Sequence, residues 1–113
     1  MLNTLELLKN KLIKSYEISD FKQGEDFYFL KIKAILLDNS KFYIKEYVSE
    51  KEYFYSYHWQ DENGSLRIRW DNSPHHKHIK TFPHHKHTPK IEESEDVGLE
   101  EVLKVIELKL KLR

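Results

Sequence analysis

Between Asp26 and Asp71 apolar and polar side chains alternate with a period of two, in runs broken by short polar turns. That pattern commits the middle of the chain to antiparallel strands. A strand from about Asp26 to Leu37 sets Tyr28, Leu30, Ile32, Ala34 and Leu36 on one face and Lys31 and Lys33 on the other. The turn Asp38-Asn39-Ser40, taken as a three-residue loop, places Leu36 opposite Phe42, Ala34 opposite Ile44 and Leu30 opposite Val48. The same register puts Glu46 on the core face opposite Ile32, where a carboxylate is costly unless it lies at the sheet's rim or finds a partner. After the polar turn Ser49-Glu50-Lys51-Glu52, Tyr53, Tyr55, Tyr57 and Trp59 share one face and Phe54, Ser56, His58 and Gln60 the other. Asn63-Gly64 signals a two-residue hairpin turn, pairing Glu62 with Ser65. Counting back, Trp59 meets Ile68, Tyr57 meets Trp70, His58 meets Arg69, Gln60 meets Arg67 and Ser56 meets Asp71.

The flanks obey another period. Asn3 followed by Glu6 resembles a capping box, and Leu5, Leu8 and Leu12 recur at helical spacing, which predicts a helix from about Thr4 to Lys14. Tyr16, Ile18 and Phe21 then suggest a first strand ending near Gln23-Gly24. Near the other end Glu95-Asp96 can start a helix in which Leu99, Val102, Leu103, Ile106 and Leu110 form an apolar stripe, with Gly98 weakening its first turn. The expected fold is α+β: an antiparallel meander of four or five strands, one N-terminal and one C-terminal helix on one face, and a long His-rich loop. Residues 1–113 form a single domain, a length that supports one hydrophobic core. No run approaches the roughly 18 apolar residues needed to span a bilayer, so a cytoplasmic protein without a membrane role is expected. The absence of cysteine removes disulfides and thiol nucleophiles and leaves histidine and carboxylates as the ligands for any zinc.

Residues 72–95 contain all three prolines and show no period. Here the word Pro-His-His-Lys-His occurs at 74–78 and again at 83–87, gathering six of the seven histidines. Such a density invites acid–base, metal or phosphate chemistry. Charge is uneven along the chain: residues 67–90 hold Arg67, Arg69, Lys77, Lys80, Lys86 and Lys90 against Asp71 alone, and the segment that follows is acidic. A basic centre beside an acidic tail is either covered within the fold or left free for a polyanion.

The run Arg69-Trp70-Asp71-Asn72-Ser73-Pro74-His75-His76, followed by Thr81-Phe82-Pro83-His84-His85-Lys86-His87 and preceded by Glu46-Tyr47-Val48 and Tyr55-Ser56-Tyr57, resembles the TumE family of toxins. The resemblance covers roughly residues 45–110 and rests most on the double His-His signature. It implies the toxin half of a two-gene pair whose other member is an antitoxin with a helix-turn-helix DNA-binding domain. It supplies no catalytic residues.

Three uses of the histidines stand open. In a metal-independent ribonuclease, catalysis falls to Glu46, His58, Arg69, Asp71, His75, His76, His84 and His85, and RNA binding to Arg67, Tyr57, Lys77 and Lys86. This chemistry needs no cofactor. In a metal site, His76, His78, His85 and His87 offer imidazoles to zinc or another divalent transition metal, with Asp71 or a glutamate completing the shell. In a non-enzymatic binding module, some histidines hold the loop by hydrogen bonds to its carbonyls and the rest contact nucleic acid or the antitoxin. The tyrosine stripe is either core or a base-stacking platform, and its apolar partners Ile68 and Trp70 favour core. Self-association is left open.

Overall fold

The computed structural model describes residues 2–72, 83–88, 91–94 and 98–111. The chain runs α1 (Leu2–Leu7), β1 (Ile13–Gln23), β2 (Phe27–Leu36), β3 (Lys41–Ser49), β4 (Tyr53–Gln60), β5 (Leu66–Asp71), β6 (His85–His87), β7 (Ile91–Glu93) and α2 (Leu99–Lys111). Among the described residues the strands form one antiparallel sheet in the order β1-β2-β3-β4-β5-β6-β7, so every strand pairs with its neighbours in sequence. The meander is therefore as expected, but it has seven strands rather than four or five. The added pair, β6 and β7, lies in the segment read as one long loop. Strands of three residues carry no detectable period; β6 forms by pairing onto β5, and β7 by pairing onto β6.

The first helix is shorter than predicted. Its bonds tighten to three-residue turns at Lys9 and Asn10, and the Leu12 N–H donates to Asn10 Oδ1 at 2.8 Å. An asparagine that captures backbone in this way favours a turn over a continuing helix. Asn3 lies inside α1 rather than capping it, and Glu6 Oε1 accepts from Lys9 Nζ at 3.2 Å. At α2 the cap is Gly98, whose N–H donates to Glu101 Oε2 at 3.0 Å, while the Glu95-Asp96 start lies outside the described residues. The helical stripe is as read, with Leu99, Val102, Leu103 and Ile106 buried.

The β2–β3 and β4–β5 hairpins use three-residue loops. Leu37-Asp38-Asn39 joins β2 to β3, with Asn39 at φ 67° and Leu36 N–H donating to Ser40 O at 2.9 Å. The observed pairs are Ala34 with Phe42, Ile32 with Ile44 and Leu30 with Glu46, two places from the expected register. A slip of two leaves every side chain on its face. Between β4 and β5 the loop is Glu62-Asn63-Gly64, Gly64 taking φ 96°, and Asp61 closes with Ser65. An irregularity follows: Gln60 pairs with Leu66, Arg67 is the extra residue, and Trp59 then meets Ile68. His58–Arg69, Tyr57–Trp70 and Ser56–Asp71 are paired as expected, because the longer loop and the bulge cancel.

Leu30, Ile32, Ala34, Phe42, Ile44, Tyr57, Trp59 and Trp70 form the core with Leu8, Leu12 and the buried stripe of α2. The helices therefore cover one face. The other presents three rows that cross the strands: Lys22, Phe29, Tyr47 and Phe54; then Asp20, Lys31, Lys45, Ser56, Asp71 and His85; then Glu17, Lys33, Tyr43, His58, Arg69 and His87. No helix of the described residues is long and apolar enough to cross a membrane.

Candidate functional site

Asp71 is the last residue of β5, and pairing with β6 brings His85 opposite it and His87 opposite Arg69. Alternation points all four side chains to the face without helices. Asp71 Oδ1 lies 2.9 Å from His85 Nε2, and Oδ2 lies 3.1 Å from Arg69 Nε and 3.6 Å from His87 Nε2. The Asp71 and His85 side chains are only 4% and 3% exposed, against 38% for Arg69 and 21% for His87. The buried pair therefore positions, and the outer pair faces solvent. His85 Nδ1 lies 2.9 Å from the Pro83 carbonyl, to which it donates, and this fixes Nε2 toward Asp71. At the exit of β5, Asn72 Oδ1 accepts from Tyr55 N–H at 2.9 Å and its Nδ2 donates to Tyr53 O at 2.7 Å, pinning the strand end to β4.

His58 extends the row. Arg69 Nη1 lies 3.3 Å from His58 Nδ1, and His58 Nε2 lies 2.9 Å from Gln60 Oε1. An imidazole between a guanidinium donor and an amide oxygen carries its hydrogen on Nε2 and a lone pair on Nδ1. Burial lowers the His58 pKa below its ordinary value, the Arg69 charge adds to this, and the Gln60 hydrogen bond opposes it. A cavity of about 370 Å³ beside these groups is lined by Lys31, Tyr43, Lys45, Ser56, His58 and Arg69, among others.

The other predicted residues lie elsewhere. Glu46 is buried on the helix face, where Oε1 accepts from Thr4 Oγ1 at 2.7 Å and Oε2 from the Tyr57 hydroxyl at 3.0 Å. Of the two alternatives, a position at the sheet's rim or a partner, the structure has the partner: Glu46 is buried and satisfied by two hydroxyls. Tyr57 is 1% exposed, so its ring is core and is closed to a nucleobase. Burial and the Glu46 carboxylate push its phenol far above the ordinary value. His84 also turns to the helix face, stacking on Tyr55 at 5.7 Å with Nδ1 2.9 Å from the Tyr55 hydroxyl. Lys86 pairs with Glu92 at 3.8 Å on that face. Arg67 is clamped between Asp38 and Asp61 and stacks over Trp59 at 4.7 Å, its charge already matched at the bulge. His75, His76, Lys77 and His78 lie outside the described residues.

Of the predicted catalytic set the fold thus gathers His58, Arg69, Asp71 and His85, and it separates Glu46 and His84 by the thickness of the sheet. His87 enters the cluster although it was read only as a metal ligand. A period-two count from His85 finds it, once residues 85–87 are known to be a strand. Asp71, His85 and His87 also offer three ligand atoms within 4.8 Å of one another. Two imidazoles and a carboxylate form a donor set that suits zinc, and the Pro83 carbonyl is the outer-shell acceptor such a histidine uses. The Arg69 charge beside Asp71 counts against a dication there.

No curated protein and no solved structure gives a match to the chain. Residues 4–110 match the family described as Toxin TumE, nearly the whole length, and the chain therefore belongs to the TumE toxin family.

Proposed function

We propose that this toxin acts on RNA in the cytoplasm, cleaving it by 2′-hydroxyl attack without a metal, and that an antitoxin with a helix-turn-helix DNA-binding domain neutralises it. The observation that carries this reading is the row His58, Arg69, His87, in which a guanidinium on one strand is flanked by an imidazole on each neighbouring strand. A phosphodiester on Arg69 draws the guanidinium away from His58 Nδ1 and frees that lone pair. His58 then takes the proton of the 2′-hydroxyl, O2′ bonds to phosphorus, and His87 gives a proton to the leaving 5′-oxygen. The products are a 2′,3′-cyclic phosphate and a free 5′-hydroxyl. Arg69 stabilises the charge that builds on the phosphorane, while Asp71 and His85 hold His87 and Arg69 in place.

The test is incubation of the purified protein with total RNA in chelator, with and without the partner protein. Cleavage should persist in chelator, stop with the partner, and fall about 100-fold or more in Arg69→Gln and in His87→Gln. Intact RNA beside full toxicity in cells would replace this reading by a non-enzymatic binding module.

A second reading, a metal centre at Asp71, His85 and His87, is favoured by the closeness of their ligand atoms. Under it the chelated protein loses melting temperature and activity together, and stoichiometric zinc or manganese restores both.

A further inference from the structure

The face without helices carries more than the Asp71 cluster. One row across it is aromatic: Phe29 pairs with Tyr47 and Tyr47 with Phe54, on three successive strands. The Tyr47 and Phe54 ring centres are 6.1 Å apart, and Phe27 stacks on Tyr47 at 6.0 Å. Phe54 is 45% exposed. Burying that ring against another part of the sheet would be favourable, yet β4 turns it outward and keeps Tyr55 and Tyr57 for the core.

The adjoining row is cationic. Lys31 and Lys45 are paired across β2 and β3 and both are exposed, and Lys45 lies over the Phe29 ring at 6.0 Å. Continuing along that row, Ser56 and Asp71 follow on β4 and β5, so the lysines stand three and two strands from the carboxylate. At about 4.8 Å per strand that is a span of roughly 10–15 Å. Of the acidic residues in these rows, Glu17 and Asp20 lie on the edge strand β1, opposite Lys33 and Lys31, Glu93 on β7 is paired with His85, and Asp71 is held by Arg69 and two histidines.

We propose that this face binds single-stranded RNA, with Lys31 and Lys45 on the phosphates, Phe54 and its row under the bases, and the strand led across β4 to Arg69 and His87. The proposal rests on the RNA reading above and adds the form of the substrate. A row of flat rings flanked by mobile cations fits a chain with exposed bases and a charged backbone. A duplex hides its bases from such rings, and an apolar protein surface gains nothing from paired lysines.

The probe is a fluorescent single-stranded oligoribonucleotide with 2′-O-methyl groups throughout, which cannot undergo 2′-hydroxyl attack, followed by anisotropy against salt. The parent should bind it well and bind its duplex at least tenfold more weakly. Phe54→Ala should weaken binding about 5- to 150-fold, the range for one stacked base. Lys31→Gln with Lys45→Gln should flatten the salt dependence by roughly two phosphates' worth, with the melting midpoint unchanged because both lysines are exposed. Equal binding by parent and both variants, or tighter binding of the duplex, overturns the platform. If total RNA is still cleaved in that case, the RNA reading survives without it. If the same variants lose only the antitoxin and keep the oligonucleotide, the face is a protein dock and the proposal fails. Failure of the parent both to bind and to cleave RNA overturns the two together.

Discussion

Among the described residues Asp71 makes three side-chain contacts through two oxygens, and that sharing makes it the most informative single residue to change. Asp71→Asn keeps the shape but removes the carboxylate charge from between the Arg69 guanidinium and the two imidazoles and leaves one acceptor oxygen where there were two. It should cost about 1–3 kcal/mol in thermal or urea unfolding, the penalty for a buried donor left without its acceptor, and abolish cleavage as well. Tyr57→Phe separates structure from chemistry in the other direction. It removes a hydroxyl from Glu46, on the far face of the sheet, and should lower stability by a similar amount while cleavage per folded molecule stays at the parent level. His58 sets the pH dependence. Its folded pKa is lowered from 6.5, so as pH falls the unfolded chain protonates before the folded one and stability declines through about 6.5 toward the folded value. For a group that must be neutral to accept a proton, the same shift moves the acid limb of the rate profile below 6.5. In His58→Gln the extra decline in stability should vanish, and cleavage should be slow at every pH.

At the scale of elements, the turns test the reading of the hairpins. Gly64 holds φ 96° with nothing within 4 Å of where a Cβ would stand. Gly64→Ala therefore meets backbone strain alone, and a loss of about 1–2 kcal/mol is expected in unfolding, against almost none for Asn39→Gly. The faces of β2 to β5 were legible in the sequence because alternation survives any even slip of register. The Glu46 side was right for that reason, though its neighbour across the hairpin was wrong. The His58–Arg69 pairing was legible by a cancellation, since a loop one residue longer than Asn63-Gly64 implies is offset by the bulge at Arg67. Nothing local announces β6. Its three residues acquire direction only from β5, so the parting of His84 from His85 onto opposite faces was hidden. Asn10 ended α1 early for a similar reason, its side chain competing for a backbone N–H that periodicity alone assigned to a helix.

For the whole molecule, both helices on one face mean that the core and the candidate site share a sheet but few side chains. Ile106→Ala, at a wholly buried position of α2, should cost about 2–5 kcal/mol, while the rate per folded molecule below the melting transition stays near the parent's. A coupled loss of both would show that the open face depends on the helix packing behind it.

The order of the sheet, each strand beside its predecessor in sequence, also has a meaning in time. On a ribosome the N-terminal hairpins emerge first and find their partners already waiting. By the time Asp71 is out, five strands can be zipped, yet the imidazoles of β6 and the sealing surface of α2 have still to emerge. On the proposed mechanism the nascent chain lacks its proton donor during that interval. An antitoxin translated alongside it then meets an intermediate without that donor before it meets the finished toxin.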